Sequence, residues 1–164
     1  MPESKDLRPI DEIDDLDRRI LETITTDARL SNTDIAAAVG VAPSTVHGRL
    51  RSLVERGVIT DFMTSVNQRA LGLPLQAIVG VTLRPGARQA SIVAFSEEVR
   101  RLPQVLQVFF LGGVDDFIIH IAVEDSSAVR TFVVEHLSAQ PSVASTRTSI
   151  VFDYHRNAVA ASFQ

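Results

Sequence analysis

The chain has 164 residues, 45% of them hydrophobic, enough for two small domains or one ordinary one; without cysteine it has no disulfide, zinc–thiolate site or thiol nucleophile. Its formal net charge of −4 argues against a uniformly basic nucleic-acid coat, although a local patch suffices for DNA binding. No window reaches the ~18 uncharged apolar residues of a membrane span, and the acidic N-terminus MPESKDLRPIDEIDD lacks the apolar core of a signal peptide, so a cytoplasmic protein with no membrane partner is expected.

Residues 1–10 read as a disordered tail. Acids dominate from Glu3 to Asp34, whereas residues 40–60 carry Arg49, Arg51 and Arg56 against Glu55 alone. Ile13, Leu16, Ile20, Leu21 and Ile24 recur on one face of a helix, with Asp14, Asp15 and Asp17 where a helix N-terminus favours negative charge. In SNTDIAAAVG (31–40), Ser31 and Asp34 approach a capping box, Ile35, Ala36 and Val39 form the buried side, and Gly40 falls where a helix closes left-handed. Pro43 suits the first turn of a third helix. Three short helices, the last two joined by a tight glycine turn, make a helix-turn-helix pattern over residues 11–59. Spacing alone leaves a plain three-helix satellite domain open.

Beyond residue 59 the period changes. VITDFMTSVN (58–67) alternates and predicts a short strand leading out, within a strand or linker region of residues 60–74. Then come a strand in 75–86, a helix in 87–102, strands in 104–113 and 116–125 around a glycine turn, a helix in 126–140 and a strand in 142–154. RLPQV (101–105) and AQPSV (139–143) stop the two helices alike, a proline lying two residues before a strand valine. The β-α-β-β-α-β order over 75–154 predicts two pseudo-equivalent halves in one four-stranded antiparallel sheet, an α+β chain overall, with residues 155–164 as a tail.

The run IDDLDRRILETITTDARLSNTDIAAAVGVAPSTVHGRLRSLVERGVI (13–59) resembles the Lrp/AsnC family of transcription regulators. It carries the family's opening L-D-x-x-I-L, a D-x-R before the second helix, a V/L-G-hydrophobic turn and a V-x-x-R-x-x-x-L-x-x-x-G-V/I-I close. LGGVDDF (111–117) is similar to the family's G-x-x-D turn, and TRTSIV (146–151) to its T-R-T-x-x-V last strand. The likeness spans roughly residues 11–155. It implies a winged helix-turn-helix domain followed by a ferredoxin-like (ACT-like, RAM) sensing and oligomerisation domain. Its partners would be double-stranded promoter DNA and further copies of itself, as dimers that can assemble to octamers. A small effector, commonly an amino acid, would bind between dimers near the G-x-x-D turn.

With the third helix starting near residue 43, Val46, Leu50, Leu53 and Val54 form its buried stripe at 100° per residue. Ser44, Gly48, Arg51 and Ser52 lie opposite, with Thr45, His47 and Arg49 on the flanks. In a recognition helix that outward face enters the major groove. Ser44, Thr45 and His47 can read base edges, Arg49 and Arg51 can reach guanine or phosphate, and Arg56 at the helix end suits phosphate or the terminal carbonyls. Gly48 costs about 1 kcal/mol against Ala; either its missing side chain lets the backbone sit deeper in the groove, or it is a tolerated surface defect. Ala42 stands where the family usually places a capping serine.

A free amino acid needs donors for its carboxylate and acceptors for its ammonium. Gly112 and Gly113 leave backbone N–H groups unobstructed, Asp115 or Asp116 can face the ammonium, and Thr146 and Thr148 share a strand face that could complete the polar side. Asp116 matches the family aspartate. A glycine-rich tight turn beside strand threonines is also ordinary structure.

Catalysis finds no constellation: His47, His120, His136 and His155 are scattered without metal-ligand spacing, adjacent Asp115 and Asp116 point to opposite faces of a strand, and no phosphate-binding loop or nucleophile elbow occurs. No metal or other cofactor is expected. A module that senses a ligand and oligomerises without specific DNA binding is the competing reading.

Overall fold

The computed structural model describes residues 13–86 and 89–154; the expected tails at 1–10 and 155–164 lie outside the described residues. Two compact units divide near residue 65.

In the first unit, Asp14 accepts the Asp17 N–H at 2.8 Å and caps α1 (Asp15–Thr26). The second helix, α2 (Asn32–Val39), opens on a complete capping box: Ser31 accepts the Asp34 N–H and Asp34 takes the Ser31 N–H, each at 3.2 Å. It closes at Gly40, whose φ of 73° a side chain would resist. The Arg19 guanidinium donates to the Val39 carbonyl, tying α1 to the end of α2. Pro43 starts α3 (Pro43–Glu55), and Ala42 supplies no side-chain cap.

Ile20, Ile35, Ala36, Val39, Val46 and Leu53 close the core between these helices. Burial of each larger side chain stabilises by about 1.5–3 kcal/mol. Val54 corrects the expected stripe, being 46% exposed. It lies eight residues beyond Val46, about 80° further round the helix, past the edge of the contact with α1 and α2.

The strand expected in 58–67 is not formed. Residues 60–67 have no regular structure and lead into a 3₁₀ turn, Gln68–Leu71. An alternating run becomes a strand only by pairing along an edge, and no described residue of this chain pairs with it. Phe62, Met63 and Val66 stand 58%, 73% and 51% exposed.

The second unit follows the predicted order: β1 (Leu75–Leu83), α4 (Gln89–Arg100), β2 (Val105–Phe110), β3 (Phe117–Val123), α5 (Ser126–Phe132) and β4 (Val143–Val151). The strands lie in the order β2-β3-β1-β4, every neighbouring pair antiparallel. Ala77, Val79, Val81, Phe117, Ile119 and Ile121 form one buried face, packed with Phe95 and Val99 of α4 and Val129 and Phe132 of α5. The alternate residues, including Ile78 and Phe109, make an open face on which they are 37% and 48% exposed.

The single helix expected over 126–140 is a second correction. After Phe132 the chain turns into a π-helix, Val133–Ser138, with the Ala139 N–H bonded to the Val134 carbonyl five residues back. The wider turn places Phe132 and Leu137, five apart, both in the core, which a 3.6-residue period does not do.

Candidate DNA-binding face and effector turn

On α3, Ser44, Thr45, His47, Gly48 and Arg51 are exposed, and a Cβ built on Gly48 would meet nothing within 4 Å. The absent methyl therefore answers no packing demand inside the unit.

The arginines are held by carboxylates. Arg51 donates to Glu55 at 2.8 Å, one helical turn on, and the pairing raises its pKa. Arg49 reaches both Asp14 and Asp17, and Arg56 also reaches Asp17, each Asp17 contact at 3.2 Å. The hydrogen bond to Asp14 is the leading cause of the upward shift at Arg49; at Asp14 the Asp17 backbone N–H leads and Arg49 adds to a downward one. Asp17 lies in the first turn of α1 as expected, with its side chain only 2% exposed and shared by the two guanidiniums.

At the turn between β2 and β3, Gly112 and Gly113 are exposed with open space where side chains would stand. The two aspartates go to different partners. Asp116 donates its N–H to the Val81 carbonyl at 2.9 Å and accepts the Leu83 N–H on its carboxylate at 2.6 Å, closing the end of β1. Asp115 pairs with Arg147 of β4. To do so its carboxylate lies directly over Gly80, where a Cβ would come within 2.8 Å of Oδ2.

The register sets Thr146 and Thr148 opposite Val81 and Val79, whose side chains occupy the helix-covered face, whereas Arg147 is opposite Gly80 on the open one. The structure therefore brings Asp115 to Arg147 and does not gather it with the two threonines. Sequence reasoning left Gly80 and Arg147 out of the site. A signal existed: a glycine inside the strand LQAIVGVTL marks a close approach of another group.

His120 lies on the open face, with Nε2 2.9 Å from Gln76 Oε1 and its ring 5.9 Å from that of Tyr154. Burial pushes its pKa down. Among the described residues no group of three or more histidines or carboxylates could hold a metal ion, and no helix is long and apolar enough to cross a membrane.

Comparison with known proteins gives two family models in tandem. A winged helix-turn-helix DNA-binding model matches residues 13–60, and an Lrp/AsnC ligand binding domain model matches residues 76–158. The chain is 50% identical over 155 residues to the transcriptional regulator AldR of Mycobacterium tuberculosis, covering 94% of this chain and 86% of that one. With the transcriptional regulator AzlB of Bacillus subtilis it shares 31% identity, covering 90% and 94%. A crystal structure of mycobacterial AldR superimposes with a TM-score of 0.79 at 43% identity, covering 93% of this chain and 99% of that one. A Neisseria meningitidis regulator in complex with L-Met gives 0.82 at 27% identity, covering 91% and 97%.

Proposed function

Since the chain belongs to the Lrp/AsnC family of DNA-binding transcriptional regulators, we propose that α3 is its recognition helix, reading promoter DNA under the control of an amino-acid effector. The chain is a regulator, not an enzyme, as its relatives are. The observation that carries the helix assignment is the exposed polar face of Ser44, Thr45, His47 and Arg51 around an open Gly48. Short donors and acceptors near a helix N-terminus meet base edges, and arginine reaches guanine or phosphate. Arg49 and Arg56, held by Asp17, are on this reading mainly framework that fixes the pitch of α3 on α1.

The effector reading is supported by the ligand-binding domain match, by the L-Met carried by the Neisseria regulator and by relatives named leucine-responsive. On the turn itself, the Gly112 and Gly113 N–H groups suit a carboxylate and Asp115 suits an ammonium. Asp116, occupied by the Leu83 N–H, shapes the turn instead. Thr146 and Thr148 fall outside this grouping.

Self-association is supported by the open sheet face with Ile78 and Phe109, and by the unpaired run bearing Phe62, Met63 and Val66. Copies would pair as dimers and assemble further, up to octamers, in the cytoplasm where the promoter lies.

A footprint on the upstream region, with and without a panel of amino acids, tests the whole reading, with sedimentation in the same panel for assembly. Specific protection that steepens or fades with one amino acid is expected. A chain that protects nothing at 50 mM salt is not reading that promoter.

A further inference from the structure

We propose that His120 couples self-association to pH: copies pair through the open sheet face with this ring neutral, and its protonation separates them. This rests on the pairing through that face proposed above.

His120 stands in the middle of β3, opposite Ile78 of β1 and Gln107 of β2. It is 7% exposed in the single chain, and a second copy laid on the face can only lower that value. With Gln76 Oε1 as acceptor at 2.9 Å, Nε2 carries the proton, so Nδ1 of the neutral ring is bare. Among the described residues Nδ1 has no hydrogen-bond partner. Protonation adds an N–H there. In the unpaired chain water on the open face supplies its acceptor; between paired faces the protein must supply one.

Two copies paired about a two-fold axis present the same face to each other, so the second copy adds only what this face already carries. β1, β2 and β3 hold no acid or base besides His120 itself. β4 holds Arg147 alone, paired with Asp115 of the β2–β3 turn. Past β4, Asp153 accepts the Tyr154 N–H at 2.8 Å, and the Tyr154 ring lies 5.9 Å from that of His120. An imidazolium closed in beside Ile78 and Phe109 loses its water and finds no unpaired carboxylate on the strands. The unpaired chain therefore takes up the proton more readily than the paired one. Burial within one copy already acts in this direction, holding the ring below its ordinary value. Pairing is complete above the pH at which the unpaired ring titrates and is lost as pH falls through it. Each pair contains two such rings, so the effect enters twice.

Sedimentation equilibrium of the full-length chain between pH 7.5 and 5.5 tests the switch, using wild type, His120→Phe, His120→Gln and Phe109→Glu, with folding followed at each pH by circular dichroism. Wild-type pairing should weaken about 10-fold or more across that range. The two His120 variants, which cannot titrate there, should keep their dissociation constants within about twofold. Phe109→Glu sets a charge on the same face and should prevent pairing at every pH. A wild-type constant that is flat, or that tightens as pH falls, overturns the switch and leaves the pairing reading standing. An equal pH response in wild type and both His120 variants does the same. If Phe109→Glu assembles like wild type, or wild type stays single at every pH, the open face is not the contact. The pairing reading then falls and takes the switch with it.

Discussion

Asp17 and Arg49, thirty-two residues apart in sequence, meet at 3.2 Å with the carboxylate 2% exposed, and Arg56 reaches the same carboxylate from the end of α3. A buried anion with two cations around it is costly to disturb on one side only. Asp17→Asn should lower stability by about 2–3 kcal/mol, below the value for a fully buried pair because both arginines keep contact with water. Urea unfolding measures it.

The same pairing separates the arginines at the DNA. Each phosphate contact contributes about −0.9 to the slope of log K against log salt. Arg51→Gln should flatten that slope by about one such step, while Arg49→Gln lowers stability and leaves it nearly unchanged. An equal flattening for both would mean that Arg49 leaves its carboxylates for a phosphate.

Gly48→Ala should stabilise the unbound protein by about 0.5–1 kcal/mol, because a methyl there meets open space and the helix gains propensity. If the helix backbone approaches the groove floor, promoter affinity falls in the same variant. A melting curve and a binding titration on one preparation check both halves, and an unchanged affinity removes the close-approach idea.

Asp116→Ala removes the acceptor of the Leu83 N–H at the end of β1. A part-buried donor left without a partner costs about 1–2 kcal/mol. Denaturant unfolding should show that loss, and amide exchange should quicken first at Leu83.

His120 gives a pH dependence. Burial holds its folded pKa below the ordinary 6.5, so the unfolded chain takes up a proton first as pH falls. The stability tied to the neutral ring is complete above that value and is lost as pH drops below it. The groups against it are the Gln76 side-chain carbonyl and the Tyr154 ring. Melting temperatures between pH 7.5 and 5.5 should fall more steeply for wild type than for His120→Phe.

The two-unit order was readable because apolar period and burial coincide: Ile20 with Leu21, Ile35 with Val39, and alternate residues of β1 all face a core. The misreadings have local causes. Alternation in 58–67 mimics a paired strand, but pairing depends on an edge elsewhere. The π-turn after Phe132 inserts a residue that a fixed period cannot register. On the site, residue types in GGVDDF indicated polar chemistry, but which carboxylate was already engaged depends on β1 and β4 lying beside the turn. Arg147 was visible only as a letter in TRTSIV, and its partner came from the strand register.

Asp115 and Asp116, adjacent in sequence, reach different partners, the first Arg147 across Gly80 and the second the Leu83 amide. That makes the hairpin a ruler graduated in single residues. Inserting or deleting one residue between Val114 and Phe117 would hand each carboxylate the other's address, turning a charge meant for the sheet surface against a backbone amide. A change of length on the Gly112–Gly113 side, where an added Cβ meets nothing within 4 Å, would leave both carboxylates at their own partners.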